Sequence, residues 1–146
     1  MIETSDLVRV TIFKELSEEE LDPVKHLIFE RSFKAGSTLF LEGMKGEVFY
    51  IVKEGKIDIL KKNGGEEVPI ATLGPGEFVG EMSIIDDEPR SATAKVSEDS
   101  LLLIITKKCF SDIMRATPGG ANKILLAMLK IVNQRLRETN RKLAQA

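Results

Sequence analysis

The sequence contains a single cysteine, Cys109, a single histidine, His26, and no tryptophan. One cysteine excludes an internal disulfide and any zinc or iron–sulfur centre built from clustered cysteines. One histidine leaves no group of nitrogen ligands from which a metal centre is usually assembled. We therefore expect no metal site, with Cys109 as a small apolar residue beneath a helix and His26 as a surface or hydrogen-bonded core residue.

Long hydrophobic runs are also missing. The longest run, Leu101 to Ile105, is far too short to cross a bilayer, and the first residues lack the basic start and apolar run of a signal peptide. These absences predict a cytoplasmic protein with no membrane segment in this chain. The net charge is −2, so the sequence also lacks the overall positive charge that is typical of nucleic-acid-binding domains.

The length of 146 residues and the hydrophobic content of 42% suit one domain with one core, and we assign residues 1–146 to a single domain. Its first part, residues 1–32, is predicted to be helical, with the helical pattern running over residues 7–30. Ser17 is followed by three glutamates, which gives a Ser-x-x-Glu capping box at the start of a helix.

The texture of the sequence changes between Phe33 and Ile105, where short apolar runs alternate with turn residues at intervals of roughly 8–12 residues. Asn63-Gly64-Gly65 separates two of these runs and is a strong hairpin signal, because asparagine and glycine accept positive φ at little cost. The pattern predicts a mainly β fold with flanking helices, in which residues 33–106 form a double-stranded antiparallel β-roll of the jelly-roll type.

Residues 107–146 are predicted to form C-terminal helices. A short helix around Phe110 is expected to stop at Pro118-Gly119-Gly120, and a longer helix is expected from Ala121 to about Leu143. The longer helix carries an apolar stripe, which either packs on the domain's own roll or forms the seam of a homodimer. The residues of this stripe, with Thr139 as its weak position, are Leu125, Leu129, Val132, Leu136 and Leu143.

Residues 78–94 contain the most informative polar pair, Glu81 and Arg90, which flank a short apolar turn. Arg90 offers a planar fork of N–H groups that matches phosphate oxygens, and Glu81 offers only acceptors, which suit a sugar hydroxyl. Three acids, residues 86–88, precede Arg90 and are expected to repel a ligand as highly charged as a triphosphate. These residue types together suit a sugar that bears one phosphate.

This segment strongly resembles the phosphate-binding cassette of the cyclic-nucleotide-binding domain family, which includes kinase regulatory subunits, cyclic-nucleotide-gated channels and bacterial catabolite activators. The resemblance extends over about residues 10 to 140, from the Phe13-x-x-Leu16-Ser17 helix through the glycines of the roll to Arg135-Leu136-Arg137. Within the cassette, the matching residues are Phe78, Gly80, Glu81, Pro89, Arg90, Ser91, Ala92 and Thr93.

The resemblance implies a role for each cassette residue. Glu81 should accept a hydrogen bond from the ribose 2′-OH, and Arg90 should pair with the exocyclic phosphate oxygens. The other implied ligand contacts are the backbone of Gly80, the N–H groups of Met82 and Ser83, the partners of Arg90 at Ser91 and Ala92, and the apolar base walls Ile59, Ile70 and Val79.

Ser91 follows the cassette arginine where cGMP-preferring relatives often have threonine, so the resemblance favours cAMP over cGMP as the ligand. No cofactor besides this ligand is implied. The bacterial activators carry a helix-turn-helix domain after the long helix, and the sequence shows none, so direct DNA binding is not expected.

Three functions are compatible with these residues to different degrees. The first is a non-catalytic sensor whose C-terminal helix closes over the base, with Asn133, Arg137 and Arg141 either as lid contacts or on a solvated helix face. The second is a ligand-independent dimerisation module in which a degenerate cassette keeps only a Glu81–Arg90 salt bridge; alternatively, the chain is a fragment of a larger cAMP-responsive regulator or channel. The third, an enzyme on a cupin-like roll, lacks clustered metal ligands and a nucleophile–base pair.

Overall fold

Two long antiparallel strands organise the fold. In the computed structural model, which describes residues 2–145, strand β3 (Val48–Asn63) pairs with strand β6 (Thr93–Thr106) along most of its length. Their register shifts on both sides of Gly55, whose φ of 102° is a conformation that side chains rarely allow. Bulges of this kind bend a strand, and they divide the sheet into two halves.

Four shorter strands complete the antiparallel sheet, and their order confirms the predicted β-roll with flanking helices. The predicted hairpin joins β3 to its neighbour, with φ of 64° at Gly64 and 90° at Gly65, as a tight turn between twisted strands requires. The shorter strands are β1 (Phe29–Phe33) and β2 (Thr38–Phe40), which pair with β6, and β4 (Glu66–Leu73) and β5 (Phe78–Val79), which pair with β3.

Within the described part of the chain, five α-helices and one short 3-10 turn surround the sheet. No helix among residues 2–145 combines the length and apolarity that a membrane span needs. Met1 and Ala146, the end residues of the predicted domain, lie outside the described part. The helical elements are α1 (Thr4–Leu7), the 3-10 turn Thr11–Phe13, α2 (Glu18–Leu27), α3 (Glu81–Ile85), α4 (Lys107–Ala116) and α5 (Pro118–Gln145).

The N-terminal segment follows the prediction only in part. The capping box is confirmed: the Ser17 hydroxyl accepts from the backbone N–H of Glu20, whose carboxylate accepts from the N–H of Ser17. The helical prediction for residues 7–30 is wrong between Leu7 and Glu18, where only the 3-10 turn Thr11–Phe13 forms, and after Leu27, because residues from Phe29 onward pair with β6. The sheet therefore begins four residues before its predicted start at Phe33.

The predicted break between the last two helices is confirmed, because α4 ends at Ala116 and Thr117 separates it from α5, but the prediction that α5 starts only at Ala121 is wrong. Pro118 opens α5, where its missing N–H would have had no helical partner in any case. The Thr117 hydroxyl accepts from the N–H of Gly120 at 3.3 Å. A Cβ on Gly120 would lie 3.2 Å from the Cβ of Glu20. The glycine therefore lets the start of α5 approach α2, instead of ending a helix.

The apolar stripe of α5 divides between two surroundings. Leu125 and Val132 pack against the main hydrophobic cluster, which lies between the helices and the sheet, as does Cys109 of α4. Leu129, Leu136 and Leu143 instead remain 54%, 57% and 69% exposed. Packing on the domain's own core thus explains only part of the predicted seam.

Candidate functional site

A cavity of about 730 Å³ lies between the roll and the last turns of α5. This volume falls within the range of small-molecule sites, roughly 300–1,000 Å³. The structure brings every residue of the predicted site to its lining. These ten residues are Ile59, Ile70, Val79, Gly80, Glu81, Met82, Ser83, Arg90, Ser91 and Ala92.

The cassette begins with a sharp turn between β5 and α3. Gly80 forms this turn with a left-handed φ of 94° and caps the N-terminus of α3. A Cβ at this position would lie 2.6 Å from Nη1 of Arg90, so the glycine backbone packs directly against the guanidinium. Ser83, which is buried in α3, donates its hydroxyl to the carbonyl of Glu88 and thereby holds the loop that leads to Arg90.

The guanidinium of Arg90 is held from several sides and is only 6% exposed. Nη1 donates to the Gly80 carbonyl at 3.0 Å, and Nη2 donates to the Val48 carbonyl at 2.7 Å. The Phe40 ring covers one face, with its centroid 4.1 Å from Cζ of Arg90. Neutral carbonyls and a ring thus fix the orientation of the cation.

The main chain of Arg90 is fixed by the loop between β2 and β3. The N–H of Arg90 donates to the Met44 carbonyl, and the Arg90 carbonyl accepts from the N–H of Gly43, both at 2.8 Å.

Of the acids that precede Arg90, Asp87 binds Lys107 of α4. Residues 86–88 are exposed and do not line the cavity, so the predicted repulsion by these acids has no structural support.

One N–H of the Arg90 guanidinium has no partner. Among residues 2–145, Nε of Arg90 is the only buried side-chain nitrogen or oxygen without a hydrogen bond. Burial also lowers the pKa of Arg90, although a guanidinium remains charged in proteins. Leaving a buried donor unsatisfied costs about 1–3 kcal/mol, and more for a charged group. Nε has almost no exposed surface and lies beside Gly46, where a Cβ would be 2.3 Å from it, so an anionic oxygen in the cavity would remove this cost only after a shift of the guanidinium.

Glu81 pairs with Arg135 of α5 rather than with Arg90, so the alternative of a Glu81–Arg90 salt bridge is wrong. Nη1 of Arg135 lies 3.3 Å from Oε1 of Glu81, and Nη2 donates to the Phe78 carbonyl at 2.9 Å. The Arg135 guanidinium also lies over the Phe78 ring. Burial raises the pKa of the Glu81 carboxyl, and the positive charge of Arg135 opposes that rise.

The last turns of α5 form one wall of the cavity, but not with the predicted residues. Asn133, Arg137 and Arg141 are exposed and do not line it, so the predicted lid contacts are wrong. Spacings of three, four and seven residues place side chains on one helix face, but the sequence alone does not show which face meets the cavity. The α5 residues that line the cavity are Arg135, Glu138, Thr139 and Lys142.

Sequence reasoning also missed four residues of the roll. Lys61 lies two residues from the predicted Ile59 on β3, so period-two alternation was an available signal there. Leu73 lies three residues from the predicted Ile70 on β4, where the register of the strand pair shifts, so alternation does not predict it. Phe40 had no such signal, because its position depends on the pairing of β2 with Ala94 of β6. The four missed roll residues are Phe40, Lys61, Ala71 and Leu73.

The site combines a buried cation with a free N–H, a mostly buried carboxylate and apolar walls. This combination suits a ligand with an anionic group, a hydroxyl and a flat apolar body. No group of three histidine, cysteine, aspartate or glutamate side chains within residues 2–145 is arranged to hold a metal ion.

Comparison with known proteins agrees with this chemistry. The family model "Cyclic nucleotide-binding domain" matches residues 30–117. The chain is 33% identical to the cyclic AMP receptor protein of Thermus thermophilus, covering 88% of this chain and 58% of that protein. It is also 33% identical to a cGMP-dependent protein kinase of Eimeria tenella, covering 88% of this chain and 12% of the kinase.

A solved structure shows the same fold. The regulatory domain of Toxoplasma gondii PKA, crystallised with cAMP, matches with a TM-score of 0.68 and 30% identity, over 75% of this chain and 42% of that one. The chain thus spans less than two thirds of each of these relatives. With the cassette residues gathered around one cavity, the family match over residues 30–117 shows that the chain belongs to the cyclic nucleotide-binding domain family.

Proposed function

We propose that this chain is a non-catalytic sensor that binds cAMP, in preference to cGMP, and couples binding to the position of α5. The observation that carries the proposal is the buried Arg90 guanidinium, whose Nε lacks a partner while the residue lines the cavity. A negatively charged ligand oxygen is the partner that such a group requires.

In the proposed pose, the phosphate binds Arg90 and the ribose 2′-OH donates to Glu81. The two residues lie at opposite ends of the cassette and both line the cavity. Met82 and Ser83 contribute N–H groups, and Ser91 and Ala92 support the phosphate beside Arg90. The base then contacts the apolar walls, which are Ile59, Ile70 and Val79.

Coupling to α5 follows from the contact that Arg135 makes with Glu81. Arg135 occupies Oε1 of the carboxylate that the ribose hydroxyl would approach. A bound nucleotide therefore either shares this carboxylate with Arg135 or displaces it. In both cases the contact between Arg135 and Glu81 changes. Part of the free energy of ligand binding therefore shifts the equilibrium between positions of α5.

The preference for cAMP rests on Ser91 and on the relatives. Ser91 lines the cavity beside Arg90, and its hydroxyl lies 3.6 Å from the sulfur of Met82. The Thermus relative is named a cyclic AMP receptor protein and the Toxoplasma domain was crystallised with cAMP, whereas the Eimeria kinase is named for cGMP. Position 91 holds serine, where cGMP-preferring relatives often have threonine, and this favours cAMP over cGMP as the ligand.

Isothermal titration calorimetry with cAMP and with cGMP tests the proposal. We expect saturable binding of both, tighter for cAMP, and a higher melting temperature with ligand. A ligand at 100 times its dissociation constant adds about 2.7 kcal/mol of stability. The variant Arg90→Ala serves as the control. No binding of either nucleotide at millimolar concentration would contradict the sensor function.

A second function, self-association, is favoured by the exposed face of α5. Leu129, Leu136 and Leu143 are spaced seven apart, and Leu126, Asn133 and Asn140 fall at the intermediate heptad positions, all of them exposed. Leucine at one core position of each heptad, with polar asparagine at two of the other core positions, favours a specific register of a coiled coil at a cost in stability. We infer that a second copy of the chain covers this face.

Sedimentation of the protein with and without cAMP separates the two functions. A sensor that also dimerises sediments as a dimer and binds nucleotide. A dimer that binds neither nucleotide would support the ligand-independent interaction module instead. A monomer at high micromolar concentration would contradict self-association and leave the sensor function intact.

A further inference from the structure

Phe40 lies at the end of β2, beside the phosphate anchor. Its ring centroid is 4.1 Å from Cζ of Arg90, and the residue also lines the cavity. Arg90 is only 6% exposed, so the contact lies in a nearly water-free environment. A guanidinium over an aromatic face gains most from the ring when both are desolvated.

The ring of Phe40 is itself firmly supported. Tyr50 stacks on it with centroids 6.3 Å apart and planes inclined by 26°, and Phe33 meets Tyr50 edge-on at 6.2 Å. On the cavity side, a Cβ on Gly80 would lie 3.3 Å from Cε2 of Phe40. The ring therefore has little freedom to move away from the guanidinium.

We propose that Phe40 is a positioning residue for the ligand's phosphate, acting through the guanidinium of Arg90. The carbonyls of Gly80 and Val48 fix the two terminal nitrogens of Arg90, and the Phe40 ring fixes the plane. Nε is thereby held beside Gly46 without a hydrogen-bond partner, so a shift of the guanidinium within this frame would present it to an anionic oxygen. This inference rests on the proposed function.

The competing explanation is that Phe40 serves only as an apolar wall for the base. The two explanations differ in which ligands should lose affinity when Phe40 is replaced. A wall affects every ligand that carries the base, whereas a residue that positions Arg90 affects only ligands that carry the phosphate.

The experiment measures the affinities of cAMP and of adenosine, which shares the base and ribose but lacks the phosphate. The variants are Phe40→Leu, Phe40→Tyr and, as a matched control, Phe29→Leu. Phe29, in β1, is 57% exposed and does not line the cavity. A cation–π contact of about 0.5–2 kcal/mol corresponds to roughly 2- to 30-fold in affinity.

We expect Phe40→Leu to weaken cAMP binding by about 3- to 30-fold while leaving adenosine binding within about 2-fold. Phe40→Tyr should restore the affinity, and Phe29→Leu should not change it. In ¹H–¹⁵N spectra of the ligand-free protein, the Arg90 Nε–H signal should shift in Phe40→Leu but not in Phe29→Leu. This signal is assigned by its loss in Arg90→Lys and does not depend on ligand binding.

Equal weakening of cAMP and adenosine in Phe40→Leu would show that Phe40 is a wall for the base, and unchanged cAMP affinity would also overturn the proposal. A wild-type protein that binds neither cAMP nor cGMP would overturn the sensor function together with this inference. Wild-type binding with an unmoved Nε–H signal in Phe40→Leu would overturn the positioning role alone.

Discussion

Arg135 and Glu81 stand 54 residues apart in the sequence, yet Nη1 of Arg135 lies 3.3 Å from Oε1 of Glu81. The pair joins the C-terminal helix to the first residue of the cassette helix. Because the Glu81 side chain is only 12% exposed and the Arg135 side chain 34%, water screens the interaction only in part. The position of α5 is thus connected to the cassette through Arg135, which contacts both Glu81 and Phe78.

Arg135→Gln should loosen the C-terminal half of α5 in the ligand-free protein. The variant removes the charge that faces Glu81, which is worth about 1 kcal/mol for a partly exposed pair. Hydrogen exchange of residues 133–143 should become faster, and the change in exchange on adding cAMP should become smaller. Arg137→Gln is the control, because Arg137 is exposed and does not line the cavity. Identical exchange in the two variants would argue against coupling through Arg135.

Arg90→Ala should lower cAMP affinity far more than any other single change in the cassette. Truncating one partner of a desolvated, hydrogen-bonded charge pair costs about 2–5 kcal/mol, or roughly 30- to several-thousand-fold in affinity. Arg90→Lys should recover little, because an ammonium cannot replace a planar fork whose terminal nitrogens already bind the Gly80 and Val48 carbonyls. Calorimetry of both variants measures the effect, and near-wild-type affinity in Arg90→Lys would refute this geometry.

Glu81→Ala should cost about 1.5–3 kcal/mol, the range for a hydrogen bond to a charged group. The pose is tested by a double cycle in which wild type and Glu81→Ala are each titrated with cAMP and 2′-deoxy-cAMP. The deoxy ligand should bind wild type more weakly and lose little further affinity in the variant. Equal deoxy penalties in the two proteins would show that Glu81 does not contact the ribose.

Cyclic AMP affinity should fall on acidification at a higher pH than an ordinary glutamate would cause. Burial raises the pKa of Glu81 above its usual value of 4.5 in the free protein, although Arg135 opposes the rise. The ribose hydroxyl favours the ionised carboxylate, so the complex binds fewer protons than the free protein near this pKa. Affinity is therefore full above the raised pKa and decreases as the pH falls through it. Titrations of wild type and Glu81→Gln over this range should show a slope in the first and a flat profile in the second.

Leu136→Glu should yield a folded monomer that still binds nucleotide, because Leu136 is exposed on the proposed dimer face. Val132→Glu, four residues earlier, should instead destabilise the domain severely, since Val132 packs against the hydrophobic core. Sedimentation and thermal melting distinguish the two results. A dimer that survives both Leu129→Glu and Leu136→Glu would place the contact elsewhere.

The cassette and the roll were predictable from the sequence because their signals are local. Left-handed turns favour glycine, so the turns at Gly64 and Gly80 can be recognised from a single sequence. The start of β1 was missed because Phe29 follows a helix directly and becomes extended only through its pairing with Ile104. Long-range pairing of this kind overrides local propensity.

The wall supplied by α5 was missed for a related reason. The regularly spaced leucines predict a packing face on one side of α5, whereas the cavity lies against a different face of the helix. Arg135 could be assigned to the site only once its contacts with Phe78 and Glu81 were known. Phe40 escaped notice because an aromatic residue in a short strand gives no sign of the cation it faces.

Helix α5 has one face in the core, one at the cavity and one that carries the exposed leucines. Together these faces constrain the number of residues within the helix as well as their identities. Near its start, the helix is anchored by core residues such as Met128, and its next turns carry Arg135 towards the cassette. Inserting one residue between these two positions would rotate everything after it by about 100° and advance it by about 1.5 Å. Arg135 would then leave Glu81, and Leu136 would turn away from its heptad row. Homologous sequences that keep this site should therefore vary in residue identity between positions 128 and 135, but not in the number of residues.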